Sequence, residues 1–381
     1  MKICIDIQPA LTQRAGIGRY TRCLVEHLPL GGAADEVVLF SFDFRKKGMP
    51  LDVPGARHRT IRWCPGQLAN KCWSTIKFPF FDWFSGSADL FHFPNFTIPP
   101  VRRGKKVVTI HDASFIRFPE FAEAKNLGYL KKMMKSTIEQ ADAIITISHF
   151  SADEIAETMH VDRAKIFPVH LGVDDCFPQG LGEDDKPYRS SLSDHRAVLE
   201  GMGVSKAYIL NVGTVEPRKN TVFLIDIFEK MEKFKGLLVI AGMKGWKSGT
   251  VFERIRTSKR AADIVYLDYV SDEQLYSLYS GTELFVFPSY YEGFGFTPLE
   301  AMACGAPVLA SAGGALPEVL GAAARIIHSY NVDKWVSAAL EILESGSVRD
   351  SMARLGREHA AKYKWSDTAN ETWSVYRRVM G

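Results

Sequence analysis

YYEGFGFTPLEAMACGAPVLAS, residues 290–311, is the stretch from which the rest of the chain is read. An apolar run, LFVFPSY (284–290), leads into it and reads as a buried strand. Gly293 and Gly295 then allow close backbone approach, and Pro298 suits the first turn of a helix over LEAMAC. Strand, glycine loop and helix together point backbone N–H groups and a positive helix end at an anion. Glu292 falls at the strand's C-terminal edge and Glu300 in the helix's first turns, with seven residues between them. Both positions face the crevice where open parallel sheets bind ligands. Taken singly, each glutamate also fits a plainer role: a salt-bridged surface residue, or a helix N-terminal acid satisfying the dipole.

Bulk properties bound the class. A chain of 381 residues with 46% hydrophobic and 24% charged residues predicts about two soluble domains. A net charge of +3 is too mild for a nucleic-acid partner. Cys4, Cys23, Cys64, Cys72, Cys176 and Cys304 lack paired spacing, so they read as buried thiols in a reducing compartment. The first residues run straight into a strand, without a signal-peptide pattern. No window holds the roughly 18 apolar residues of a membrane span. The expectation is a cytoplasmic protein, with contact to a membrane surface left open.

Outward from the opening block, strands and helices alternate. KICIDIQP (2–9) is a first core strand, and the loop LTQRAGIGRYT (11–21) leads to a helix. Gly16 and Gly18 sit at that turn, but Thr21 holds the last position of a dinucleotide fingerprint, which is therefore incomplete. Arg19 is either a phosphate or acceptor contact or a solvated helix cation. EVVLFSF (36–42) is the second strand. Residues 62–84 combine Trp63, Trp73 and Trp83 with four phenylalanines, Lys71 and Lys77. Most of these aromatics read as core, with a minority on a loop able to touch lipid; KKMMK (131–135) is a second basic patch. DLFHFPNF (89–96) ends a short strand, with His92 as an acceptor-side candidate. KKVVTIHDASF (105–115) is the next, and puts His111 and Asp112 at a strand's C-terminal end. Ser151, three residues before Glu154, predicts a capping box. The polar stretch 178–206 reads as a linker with one helix. AYILNVGTVEPRKN (207–220) restarts the pattern, with Pro217 starting a helix whose mouth carries Arg218 and Lys219. The fold class is α/β, with two doubly wound Rossmann-like domains facing a central cleft. The expected boundaries are 1–178, 179–360, and a last helix over 361–381 that crosses back to the first domain.

The paired glutamates, EGFG, the proline after Thr297, EAMACG and the following PV resemble the signature of the retaining nucleotide-sugar glycosyltransferases of family 4, of GT-B fold. The resemblance covers nearly the whole chain and is densest over 208–320. It implies that Glu292 lies at the donor sugar and Glu300 holds the nucleotide ribose. It also implies that Gly16, Gly18, Gly293, Phe294, Gly295, Phe296 and Thr297 line the donor site, that His111 hydrogen-bonds the sugar hydroxyls, and that Asp112 supports the loop or meets the acceptor. Tyr269 and Val270 would contact the nucleobase. In the family an arginine and a lysine five residues apart clamp the diphosphate. Lys219 matches the lysine, but Thr214 stands at the arginine position, so Arg218 is expected to supply that charge. Asp268 also departs, standing where glycine is usual. Without a D-x-D pattern, no metal and no cofactor beyond the sugar-nucleotide donor is expected.

The wording of GTVEPRKN and HDASF is similar to bacterial mannosyltransferases of polysaccharide assembly, which implies GDP-mannose as donor and a glycan or lipid-linked saccharide as acceptor. The work would be done at the inner face of the cytoplasmic membrane. UDP- and dTDP-sugars stay open as donors, as does a silent nucleotide-sugar-binding protein. A phosphorylase or a dinucleotide oxidoreductase fits less well. Acceptor, linkage and oligomeric state are not set by these residues.

Overall fold

The computed structural model describes residues 1–13, 16–30, 35–49, 51–174, 176–177 and 192–381. Residues 178–191 of the expected linker lie outside the described residues; the helix expected in it is Leu192–Gly201. Contacts divide the chain into two compact units: Met1–Gly172 with Trp365–Gly381, and Val173–Lys364.

The first unit is built on a seven-stranded sheet. Its strands are β1 (Lys2–Asp6), β2 (Glu36–Phe42), β3 (Arg57–Ile61), β4 (Leu90–Phe93), β5 (Lys105–Thr109), β6 (Ala143–Thr146) and β7 (Ile166–Pro168). Their order is β3-β2-β1-β4-β5-β6-β7, and every pairing is parallel. Helices cover a parallel sheet on both faces, so its central strands are buried throughout and mostly apolar; LFHF of β4 and AIIT of β6 are buried at every position. One face gathers Phe40, Phe81, Phe91 and Phe93 with Trp73, each ring contributing roughly 1.5–3 kcal/mol on burial. The helix His149–Met159 is capped by Ser148, whose hydroxyl accepts from the Ser151 amide at 3.0 Å. The expected cap at Ser151 is thus three residues late, because β6 ends at Thr146 and leaves Ser148 as the last extended residue.

The C-terminal helix Trp365–Met380 belongs to this unit. Tyr376 reaches His92 Nδ1 (2.6 Å), His92 Nε2 meets Thr109 Oγ1 (2.8 Å), and Thr109 meets the Tyr20 hydroxyl (3.0 Å). His92 is fully buried, and burial drives its pKa down to about 3. The ring is therefore neutral, with one nitrogen donating and the other accepting.

The second unit repeats the architecture with six strands. They are β8 (Tyr208–Val212), β9 (Leu237–Ala241), β10 (Ile264–Leu267), β11 (Leu284–Phe287), β12 (Val308–Ser311) and β13 (Arg325–Ile327). The order is β10-β9-β8-β11-β12-β13, again all parallel. β8, β9, β11 and β12 are buried end to end. The one amide among them, Asn211, donates through Nδ2 to the Val286 carbonyl at 2.8 Å. Leu224, Phe228, Val251, Trp335 and Ile342 cover one face. Strand order reverses between β8 and β11, and an open α/β sheet binds ligands at the C-terminal edge of such a switch point. Among the described residues no helix is long and apolar enough to cross a membrane.

Candidate active site

Two loops leave the switch point of the second unit. One follows β8 and runs from Gly213 to Asn220; the other follows β11 and runs from Pro288 to Gly295. The first does not become a helix at Pro217 as expected. Pro217–Lys219 forms one 3₁₀ turn, Asn220 takes a left-handed conformation (φ 55°), and the α-helix starts at Thr221. That break sets Arg218 and Lys219 on a tight turn ahead of the helix. In the second loop, Gly295 at φ 118° starts the helix Phe296–Ala303 two residues before Pro298. Glu300 consequently lies in the second turn, 1% exposed, and accepts a hydrogen bond from the Tyr279 hydroxyl at 3.0 Å.

The loops are joined by charge. Lys219 Nζ lies 2.8 Å from Glu292 Oε1, and Arg218 Nη1 lies 2.8 Å from Glu292 Oε2. Arg218 also donates to the Tyr291 carbonyl (2.6 Å) and to Glu216 Oε1 (2.6 Å), while its own carbonyl accepts from the Tyr290 amide (2.9 Å). Lys219 packs over the Phe287 ring at 4.8 Å. Burial alone would raise the Glu292 carboxyl, but Arg218 and Lys219 outweigh it and bring its pKa down to about 2. Burial pulls the Lys219 ammonium below its ordinary value, with Glu292 pulling the other way. Formally the cluster is balanced: two cations against Glu216 and Glu292. Arg218, expected from the sequence as a substitute cation, here pins the β11 loop to the β8 loop.

Several parts of this site were not singled out from the sequence. Glu216, 2% exposed, orients Arg218. Gly313 and Gly314 back the Glu292 loop: a Cβ on Gly314 would stand 2.3 Å from the Glu292 carbonyl oxygen, and one on Gly313 would stand 2.6 Å from that of Ser289. The Ala315 amide then donates to the Glu292 carbonyl at 2.8 Å. The GG dipeptide ahead of LPEVL was the available signal. Among the described residues, Glu216 Oε2, Asn220 Nδ2 and Ser289 Oγ are buried without a hydrogen-bond partner. All three lie on these two loops, and buried polar atoms left without a partner call for an explanation such as a ligand or water held there.

Other predicted residues of this unit fall around the loops. Thr214 is half-buried beside Gly245, whose added Cβ would stand 2.7 Å from Thr214 Cγ2. Gly293 is buried. Phe294 packs on Phe296 (5.7 Å), with Thr297 half-buried next to it. Tyr269 is exposed and Val270 half-buried in the turn after β10.

In the first unit, Gly16 (φ 58°) is the N-cap of the helix Ile17–Glu26, and Arg19 lies half-buried on it. Gly18 is required by crowding, since a Cβ there would stand 2.1 Å from the Gln13 carbonyl oxygen. His111 follows β5, nearly buried, and donates from Nε2 to the Pro94 carbonyl at 2.9 Å. It packs edge-on to Tyr20, and burial lowers its pKa. Asp112 Oδ1 accepts from the Ser114 amide (2.9 Å) and so holds its own loop. His92, expected on the acceptor side, is instead a core residue with both nitrogens taken, because the C-terminal helix closes over it.

Each unit is thus an open, all-parallel α/β sheet, and the second places a carboxylate–cation cluster on the loops at its switch point. Residues 14–176 match the family model described as Glycosyltransferase Family 4, and residues 200–359 match Glycosyl transferases group 1. The chain belongs to these glycosyltransferases and has the GT-B fold. It is similar to O-antigen chain mannosyltransferase B of Escherichia coli, 28% identical over 99% of this chain and 100% of the relative. It is also similar to D-inositol 3-phosphate glycosyltransferase of Mycolicibacterium smegmatis, 28% identical over 65% of this chain and 55% of the relative. Among solved structures, sucrose-phosphate synthase from Thermosynechococcus elongatus superimposes with a TM-score of 0.76 at 20% identity, covering 99% of this chain and 98% of the other.

Proposed function

We propose that this glycosyltransferase moves mannose from GDP-mannose to a saccharide acceptor of polysaccharide assembly, with retention of configuration and without a metal. The observation that carries the site is the meeting of Lys219, Arg218 and Glu292 at the switch point of the second unit. The mannosyl assignment draws on the end-to-end similarity to the E. coli O-antigen enzyme.

The diphosphate of the donor takes over the Lys219 ammonium, and in part the Arg218 guanidinium, from Glu292. Glu292 is thereby released towards the sugar, where its negative charge favours the oxocarbenium-like transition state. The bond from C1 to the phosphate oxygen breaks as the acceptor oxygen bonds to C1. The acceptor's proton passes to the departing phosphate oxygen on the same face, and the products are the glycosylated acceptor and GDP. Glu300, held by Tyr279, hydrogen-bonds the ribose. The exchange makes the cluster's balanced charge useful: the cations stay paired without donor, and neither is left buried alone.

A thermal-shift screen with GDP-mannose, UDP-glucose, ADP-glucose and dTDP-rhamnose tests the donor, since a ligand that binds only the folded state raises its melting temperature. The expected result is a shift with GDP-mannose that EDTA leaves unchanged. A shift with a UDP- or dTDP-sugar alone would overturn the mannosyl reading.

A further inference from the structure

The aromatic stretch 62–84 of the first unit divides sharply. Trp73, Phe81 and Phe84 are in the core, whereas Trp63 is 71% exposed, Ile76 66%, Leu68 55%, Trp83 49% and Phe78 45%. Trp63 lies just ahead of the helix Gly66–Thr75, which carries Leu68; Ile76 and Phe78 lie between it and the helix Phe81–Ser85, which carries Trp83. Phe78 and Trp83 meet edge to face at 5.0 Å. Between Trp63 and Trp83 runs an apolar groove of about 330 Å³, floored by Cys64, Leu68, Cys72 and Pro79. So many large apolar side chains gathered in water mark a surface that something covers.

We propose that this face docks on an anionic lipid bilayer. Charge selects that occupant. Arg62, Lys71 and Lys77 are exposed within the stretch, and none of them makes an ion pair among the described residues. Its one carboxylate, Asp82, is covered and paired with Arg102 at 3.1 Å; Arg102 in turn lies over the Trp83 ring at 5.5 Å. The helix Ala124–Gln140, which packs against Gly66–Thr75, adds exposed Lys131, Lys132 and Lys135. Tryptophans beside lysines and arginines suit the headgroup layer, where the ring body is buried and the cation meets phosphate. A second copy of the chain fits worse, because a two-fold contact would set each cluster of cations against its own image. The groove is open to receive a hydrocarbon branch once the rings enter the acyl boundary. This surface is independent of the donor assignment.

Cosedimentation of the full chain with vesicles tests it. One set is phosphatidylcholine alone and the other contains phosphatidylglycerol. Binding is expected to the anionic vesicles, with tryptophan fluorescence quenched by brominated lipid. The double variants Trp63→Ser/Trp83→Ser and Lys71→Glu/Lys77→Glu should each lower the partition coefficient by about tenfold or more. Their melting temperatures should match the parent, since all four side chains are exposed. Absence of binding by the parent, or partition unchanged in either double variant, would overturn the proposal. So would a concentration-dependent dimer in sedimentation velocity that Trp63→Ser/Trp83→Ser abolishes.

Discussion

Glu292→Gln separates two ways in which a glutamate can serve a sugar-nucleotide site. If Glu292 were simply one more donor contact, replacing it would weaken binding. Under the proposed exchange it competes with the donor for Lys219 and Arg218, both at 2.8 Å. The fall of its pKa from 4.5 to about 2, against the opposing effect of burial, is worth about 3 kcal/mol in favour of the paired carboxylate. A diphosphate must replace that attraction. Removing the competitor should therefore tighten GDP binding, by about a hundredfold if all of it is recovered and by about tenfold if solvent reaching the bound phosphates screens most of it. Turnover should fall at least about a hundredfold, because the charge facing the sugar is gone. Isothermal titration with GDP at pH 7, repeated with UDP, reads the affinity. Urea unfolding checks the fold, and the variant should lose up to about 3 kcal/mol there because two half-buried cations lose their shared partner. Weaker GDP binding in Glu292→Gln than in the parent would refute the exchange.

Lys219→Met should have the opposite sign in binding, weakening GDP by about tenfold or more while also suppressing turnover, as read in the same titration and a coupled nucleotide-release assay. Gly314→Ala forces a Cβ to within 2.3 Å of the Glu292 carbonyl oxygen at a φ of +66°; it should cost about 2–3 kcal/mol in urea unfolding and displace the carboxylate, lowering turnover even where the fold persists. His92 is neutral when folded, with its pKa lowered from 6.5 to about 3. The unfolded chain therefore binds the extra proton, and stability present above pH 6.5 is lost as pH falls towards 3, by about 1.4 kcal/mol per pH unit. Comparison of the parent with His92→Gln between pH 6.5 and 4.5 should show that slope only in the parent.

How much of this was legible beforehand depended on whether a feature was local. EVVLFSF was expected as a strand and is one over Glu36–Phe42, because a run buried on both faces carries its own signal. The strand–loop–helix at 284–303 was equally readable, but its helix starts at Phe296, since a left-handed glycine decides the boundary and a later proline merely tolerates it. Pro217 misled in the same way: the left-handed Asn220 three residues on turns an expected helix start into a single 3₁₀ turn. Contacts set by sheet order were invisible. Gly313 and Gly314 reach the Glu292 loop only because β12 lies beside β11. His92 reads as a site residue until a tyrosine 284 positions later closes over it. Glu216, adjacent to a recognised Pro-Arg-Lys, gains its role from a side-chain direction that no spacing rule conveys.

The central claim is that the second unit activates a sugar nucleotide through Glu292 and the two cations beside it. Slow release of GDP from GDP-mannose in the absence of acceptor, followed by ³¹P NMR in the parent and in Glu292→Ala, tests it most directly. The account predicts measurable release by the parent and none above background in a folded Glu292→Ala. Equal release by the two proteins would contradict it.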